Sequence, residues 1–90
     1  MRVSDNLRST QSQDGGIVLD ILHGQIFRLN FVGSRILELL KQDLTESEIT
    51  DQLAKDFALD RSVAESDVRE FLAVLQKHHL LSVRNDDRLA

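Results

Sequence analysis

Two spacings of apolar residues divide the chain. Between Ile17 and Leu29 they come in β-branched blocks or at every second position, and from Phe31 onward they recur every three or four. Ile17-Val18-Leu19-Asp20-Ile21-Leu22 therefore predicts a strand, and Gln25-Ile26-Phe27-Arg28-Leu29 a second. His23-Gly24 interrupts the run and predicts a hairpin, while Asp14-Gly15-Gly16 reads as a turn ahead of it.

The hairpin register follows from which face must be buried. A loop of Leu22-His23-Gly24 sets Ile21 opposite Gln25, Leu19 opposite Phe27 and Ile17 opposite Leu29. One face then carries Ile17, Leu19, Ile21, Phe27 and Leu29, and the other Val18, Asp20, Ile26 and Arg28. A two-residue His23-Gly24 loop scatters the apolar set, so the three-residue loop is the expected one. Under either loop, Gln25, Phe27 and Leu29 direct their N–H and C=O groups to the preceding strand. Ile26 and Arg28 direct theirs to an open edge, a template for another chain.

Asn30 is a good N-cap for a helix over Phe31–Lys41, with Val32, Ile36, Leu39 and Leu40 on one side. Thr45-Glu46-Ser47-Glu48 is a capping box that opens a second helix, whose stripe is Ile49, Leu53 and Phe57. Ser62-Val63-Ala64-Glu65 has the same form and predicts a third, from about Val63 to His79. At about 100° per residue, Ala64, Val68, Phe71, Leu72 and Leu75 cluster as its core stripe. Val74 falls outside that stripe, beside Asp67 and His78. It either packs on the tail or on Leu81, or lines a groove with those two. Leu80-Leu81-Ser82-Val83 predicts a short last strand, and 84–90 a frayed tail. A β-rich start followed by three helices predicts one α+β domain, winged-helix-like, over 1–90.

Composition narrows the chemistry. The net charge is −4, from 11 Lys and Arg against 15 Asp and Glu, with no basic stripe of the kind a duplex-binding domain shows. There is no Cys, hence no disulfide, thiolate zinc site or thiol nucleophile. No apolar run approaches membrane-spanning length, and the first residues lack a signal peptide's apolar stretch, so a cytoplasmic protein is expected. Gly33-Ser34 lacks the glycine spacing of a nucleophile elbow, and Gly15-Gly16 precedes a strand rather than opening a helix. His23 sits in the turn. His78 and His79 are neighbours on a helix and diverge, so each reads as an ordinary surface or helix-end residue.

The segments Asp14-Gly15-Gly16-Ile17-Val18-Leu19-Asp20 and Gly24-Gln25-Ile26-Phe27-Arg28-Leu29-Asn30 resemble the PqqD family. So do Gly33, Ile36-Leu37-Glu38-Leu39-Leu40, Ile49, Leu53, Phe57, the helix from Ala64 to Leu72, and Leu80-Leu81. The likeness spans about residues 14–81. The family includes the recognition elements of ribosomally made, post-translationally modified peptides. The resemblance implies a three-stranded antiparallel sheet on a three-helix bundle, with a first strand within about Leu7–Gln11. It implies no catalytic activity, cofactor or metal site. It further implies binding of a precursor peptide's leader as a strand added to Gln25–Leu29 against the third helix. The candidate site is then Gln25, Ile26, Phe27, Arg28, Leu29, Asp67, Val68, Phe71, Val74 and His78. The implied partners are that leader and a leader peptidase, cyclase or radical modifying enzyme, with neither nucleic acid nor membrane.

The chain departs from the family in having Leu37 where many members carry Trp, Phe27 near a usual Tyr, and His79 where Gly often ends the third helix. Lasso-peptide and PQQ pathways both use such proteins, and the hairpin and Asp-Val helix read closer to the lasso type. Two other classes fit the same sequence. One is a winged-helix DNA-binding regulator, which a low-salt gel shift tests and the acidic third helix disfavours. The other is a subunit that only scaffolds a partner enzyme, which a leader titration against the isolated protein separates.

Overall fold

The computed structural model describes residues 2–12 and 15–82. In chain order the elements are β1 (Arg2–Val3), β2 (Leu7–Ser12), β3 (Gly15–Asp20), β4 (Gln25–Leu29), α1 (Phe31–Lys41), α2 (Glu46–Phe57), α3 (Arg61–Lys77) and β5 (Leu81–Ser82). Strands β2, β3 and β4 form one antiparallel sheet in that order, and β1 pairs with β5 in a second, two-stranded one. Leu7 and Val18 of the larger sheet share a buried core with Ile36, Leu39, Ile49, Leu53, Val68 and Leu72 of the helices. The expected α+β architecture is present, with the β1–β5 pair added. Val83, expected in the last strand, and the tail over 84–90 lie outside the described residues.

The hairpin register differs from the expected one. Val18 pairs with Phe27, Leu19 with Ile26 and Asp20 with Gln25, so the loop is the four residues Ile21 to Gly24. The faces of β3 are consequently exchanged, while β4 keeps Phe27 and Leu29 inward. Val18 and Asp20 are each 1% exposed, whereas Ile17, Leu19 and Ile21 are 47%, 37% and 50% exposed. Two interactions outweigh the apolar count. First, the Asp20 carboxylate closes the loop on itself, accepting from the His23 backbone N–H at 3.3 Å and from His23 Nδ1 at 2.7 Å. A buried carboxylate satisfied this way avoids the desolvation cost that would keep it outside. Second, α1 comes close to the inner face at Gly16, where a Cβ would lie 2.9 Å from both Ser34 Oγ and the Thr10 carbonyl. A register that turned Ile17 inward would drive a branched side chain into that approach. Gly15 and Gly16 are accordingly the first residues of β3 and not a turn, and Asp14 lies outside the described residues.

The helices follow their caps. Asn30 Oδ1 accepts from the Gly33 N–H at 2.7 Å, and α1 keeps its expected bounds. The Thr45–Glu48 capping box is complete. The one expected at Ser62–Glu65 does not form. Asp60 is the N-cap, and Arg61, held by Asp51 and Ser47 of α2, already belongs to α3. Arg35 of α1 spans Glu38 and Asp56. Its guanidinium, followed by the Gln52 amide, holds the Asp56 carboxyl below the usual carboxylate range. α3 stops at Lys77 rather than His79 in a Schellman turn: Leu80 N–H donates to the Leu75 carbonyl at 2.8 Å and His79 N–H to Gln76 at 3.0 Å. His79 takes the left-handed conformation, φ 61°, at the position where a glycine is usual.

Burial raises the Asp20 carboxyl, but the side-chain and backbone hydrogen bonds from His23 together displace it below its ordinary value of 3.8. A depressed carboxyl contributes stability that is present above its unfolded value and lost as pH falls through its folded one. Asp20→Asn should therefore melt lower than the parent at neutral pH, and the gap should close below about pH 4; thermal melts across acid pH check it. The register has its own test. Val18→Asp should cost at least about 3 kcal/mol and remove the cooperative melt, while Leu19→Asp should cost about 1 kcal/mol or less. The reverse order would restore the three-residue loop.

Candidate functional site

The first component of the site is an edge. Ile21 N–H donates to the Asn6 carbonyl at 3.0 Å, on the β2 side of β3. Alternation then turns Leu19 and Ile17 toward β2, and Asp20, Val18 and Gly16 toward β4. Their partners Gln25, Phe27 and Leu29 point back at β3, so the backbone groups of Ile26 and Arg28 point away from the sheet. Among the described residues no strand pairs with that side. The parity argued from the sequence thus survives the change of loop, because Gln25 still closes the hairpin and only its β3 partner changes, from Ile21 to Asp20.

The second component is a groove between β4, the start of α1, and α3. Its part nearer β4 encloses about 250 Å³ and is walled by Phe27, Leu29, Phe71, Val74, Leu75 and Leu80; His78 also lines it, and so does Arg28, whose register partner Ile17 lies on the outer face of the sheet. Its part nearer α1 encloses about 270 Å³ and brings in Val32, Ile36, Asp67 and Glu70. Asn30, Gly33, Phe71 and Val74 line both parts. The Schellman turn seats His78 at the end of α3, where its ring meets Phe27 with centroids 4.8 Å apart and planes tilted by 57°. Gly33 lets Phe71 lie against the first turn of α1, since a Cβ there would stand 3.2 Å from Phe71 Cε1.

Most of the expected site residues converge here. Phe27, Arg28, Leu29, Phe71, Val74 and His78 line the part nearer β4, and Asp67 the part nearer α1. Val74, 50% exposed, belongs to the groove and not to the core. Three residues are placed differently. Val68 is fully buried in the core and offers nothing to a ligand. Ile26 contributes its backbone to the edge, but its side chain lies on the outer face with Leu19, and it is 68% exposed. Gln25 pairs with Asp20 and lines neither part. Sequence reasoning missed Asn30, Glu70 and Leu80 as lining residues. Glu70 follows Asp67 by one helical step of three, which was the available signal.

Fold and site together define an antiparallel sheet whose β4 edge, unpaired among the described residues, lies beside an apolar groove. Residues 15–81 match the family of coenzyme PQQ synthesis protein D (PqqD), and the chain belongs to that family. It is similar to TbiB1, solved in complex with the TbiA(beta) leader peptide, at 35% identity and a TM-score of 0.83 over 91% of this chain and 95% of that one. It shares its fold with a lasso peptide synthetase B1 complexed with the leader peptide, at 21% identity and a TM-score of 0.75 over 86% and 91%. No curated protein matches the chain.

Neighbouring positions on α3 separate groove from core. Leu75 is 4% exposed and Val74 is 50% exposed. Leu75→Glu should unfold the domain, because it buries a charge, while Val74→Glu should melt within about 1 kcal/mol of the parent. Equal losses in a thermal melt would make Val74 part of the core.

Proposed function

We propose that the chain binds the leader segment of a ribosomally made precursor peptide and presents that peptide to a modifying enzyme or leader peptidase. The leader adds as a fourth strand along β4, taking the outward N–H and C=O groups of Ile26 and Arg28. Its inward side chains enter the apolar groove against Phe71 and Val74. Backbone pairing supplies affinity that any extended peptide could gain, and the groove supplies selection among peptides. The observation that carries the reading is the free β4 edge beside the groove, in a chain 35% identical to one solved with a leader peptide. We further propose that the chain works without a catalytic step of its own, in the cytoplasm, in a lasso-type pathway.

Proline tests the edge, because it deletes a backbone N–H and is tolerated in a sheet only where that group faces solvent. Arg28→Pro should keep a cooperative fold and lose at least about tenfold in affinity for leader peptides, the TbiA(beta) leader among the probes. Phe27→Pro should cost the hairpin itself, through a ladder bond and a core ring. Titration beside thermal melting reads both. Undiminished affinity in a folded Arg28→Pro protein would mean that the peptide does not pair with this edge, and a change in peptide mass on incubation would mean that the chain is an enzyme.

A further inference from the structure

A strand added to β4 has two faces, and only one of them meets the groove. Side chains alternate along a strand, so those that enter the groove are interleaved with others that stand on the outer face of the sheet. That face has a pattern of its own at the edge. Leu19 pairs with Ile26 and Ile17 with Arg28, and these four side chains stand there together. Leu19, flanked by Arg8 on β2 and Ile26 on β4, is 37% exposed. Ile26, flanked on one side only, is 68% exposed. The two arginines also differ. Arg8 Nη1 donates to the Asp5 and Leu7 carbonyls at 3.2 and 3.0 Å, whereas Arg28, among the described residues, has no ion-pair partner within 4.0 Å.

Strand geometry says what lies beside these two residues. β4 runs from Gln25 to Leu29. Every strand pair among the described residues is antiparallel, and an antiparallel addition is the more stable per residue. A strand added in that sense passes Leu29 first, then Arg28, Phe27 and Ile26. Its residues opposite Arg28 and Ile26 take the outward backbone bonds, and directly opposite side chains share a face. Both therefore stand on the outer face, while the residue between them turns to the groove beside Phe27.

Resting on the leader-binding reading, we propose that the leader is selected on the outer face as well: an acidic residue opposite Arg28 and, two positions toward its C-terminus, an apolar one opposite Ile26. The apolar residue flanks Ile26 on its bare side, as Ile26 flanks Leu19, and extends that row by one strand. The carboxylate pairs with a guanidinium that has no ion pair within the described domain, and a basic residue at the same place meets like charge. The order of the two residues fixes orientation. Their spacing fixes register, because a slip by one residue turns both away from this face.

The test uses two synthetic peptides of identical composition, with capped ends and leucines at the groove-facing positions. At the outward positions one carries glutamate and then, two residues on, isoleucine; the other has them exchanged. The TbiA(beta) leader serves as a third probe. At low salt the first peptide should bind roughly 3- to 10-fold tighter, the range of one exposed ion pair and one apolar cross-strand pair. At about 1 M salt, where the screening length is near 3 Å, the part due to Arg28 should fade and the part due to Ile26 persist. Arg28→Glu and Ile26→Thr change exposed side chains, so both variants should melt cooperatively. Each should shrink the preference, and together they should abolish it. Equal affinities for the parent, or a preference that the folded double variant leaves unchanged, would overturn selection on the outer face while leaving leader binding intact. If the double variant did not fold, the single variants would decide by the same criterion. Binding of the TbiA(beta) leader alone would also overturn it, since the two outward residues would then be insufficient. If none of the three bound, the leader-binding reading would fail and outer-face selection with it.

Discussion

The arrangement of this molecule depends on how the β3–β4 loop closes. Asp20 sits beneath the turn and takes both a backbone and a ring hydrogen bond from His23, which makes the loop four residues long. That length decides which side chains of β3 face the helices. Val18 goes inward against the core, Gly16 goes inward beneath Ser34, and the larger Ile17 and Leu19 stay outside. β4 holds Phe27 inside, as either register would, but the observed one sets Val18 opposite it, and both line the groove where Phe27 meets His78. A local polar contact thereby decides which β3 side chain, Val18, backs an apolar site on the same inner face.

The groove needs two further close fits, one at the C-terminal end of α3 and one near its middle. At the C-terminal end, the Schellman turn halts the helix and buries Leu80, which closes the groove nearest β4. Toward the middle, the absence of a side chain at Gly33 brings Phe71 against α1. Neither fit is an interaction with a ligand. Both are packing constraints within the domain that leave a space of a particular form beside a strand edge, as expected where a rigid scaffold holds a binding surface.

The helices and the strand at the site were legible in the sequence, since caps and periodicity act over a few residues. Asn30, the Thr45–Glu48 box and the Val74 position outside the α3 stripe were all readable. So was the outward direction of Ile26 and Arg28, because it depends only on parity. The buried face of β3 was not. Counting apolar residues assumes that the more apolar face goes inside, and here a self-satisfied carboxylate and a glycine under a helix reversed it. Val68 shows a related limit. Its position on the α3 wheel is compatible with both core and groove, and only the packing of α1 and α2 against it decides. β1 was invisible because Arg2–Val3 carries no pattern of its own and exists through its pairing with Leu81 and Ser82.

An exchanged face has a colloidal consequence. With Ile17, Leu19, Ile21, Leu22 and Ile26 in water, the outer surface of the sheet is greasy over its central strand and along its unpaired margin. Two copies could meet there edge to edge with little to oppose them except Arg28, whose charge lies on that margin and would face its own image. The empty protein is thus the form most disposed to self-association. A bound leader, by occupying the margin, would act on solubility as well as on recognition.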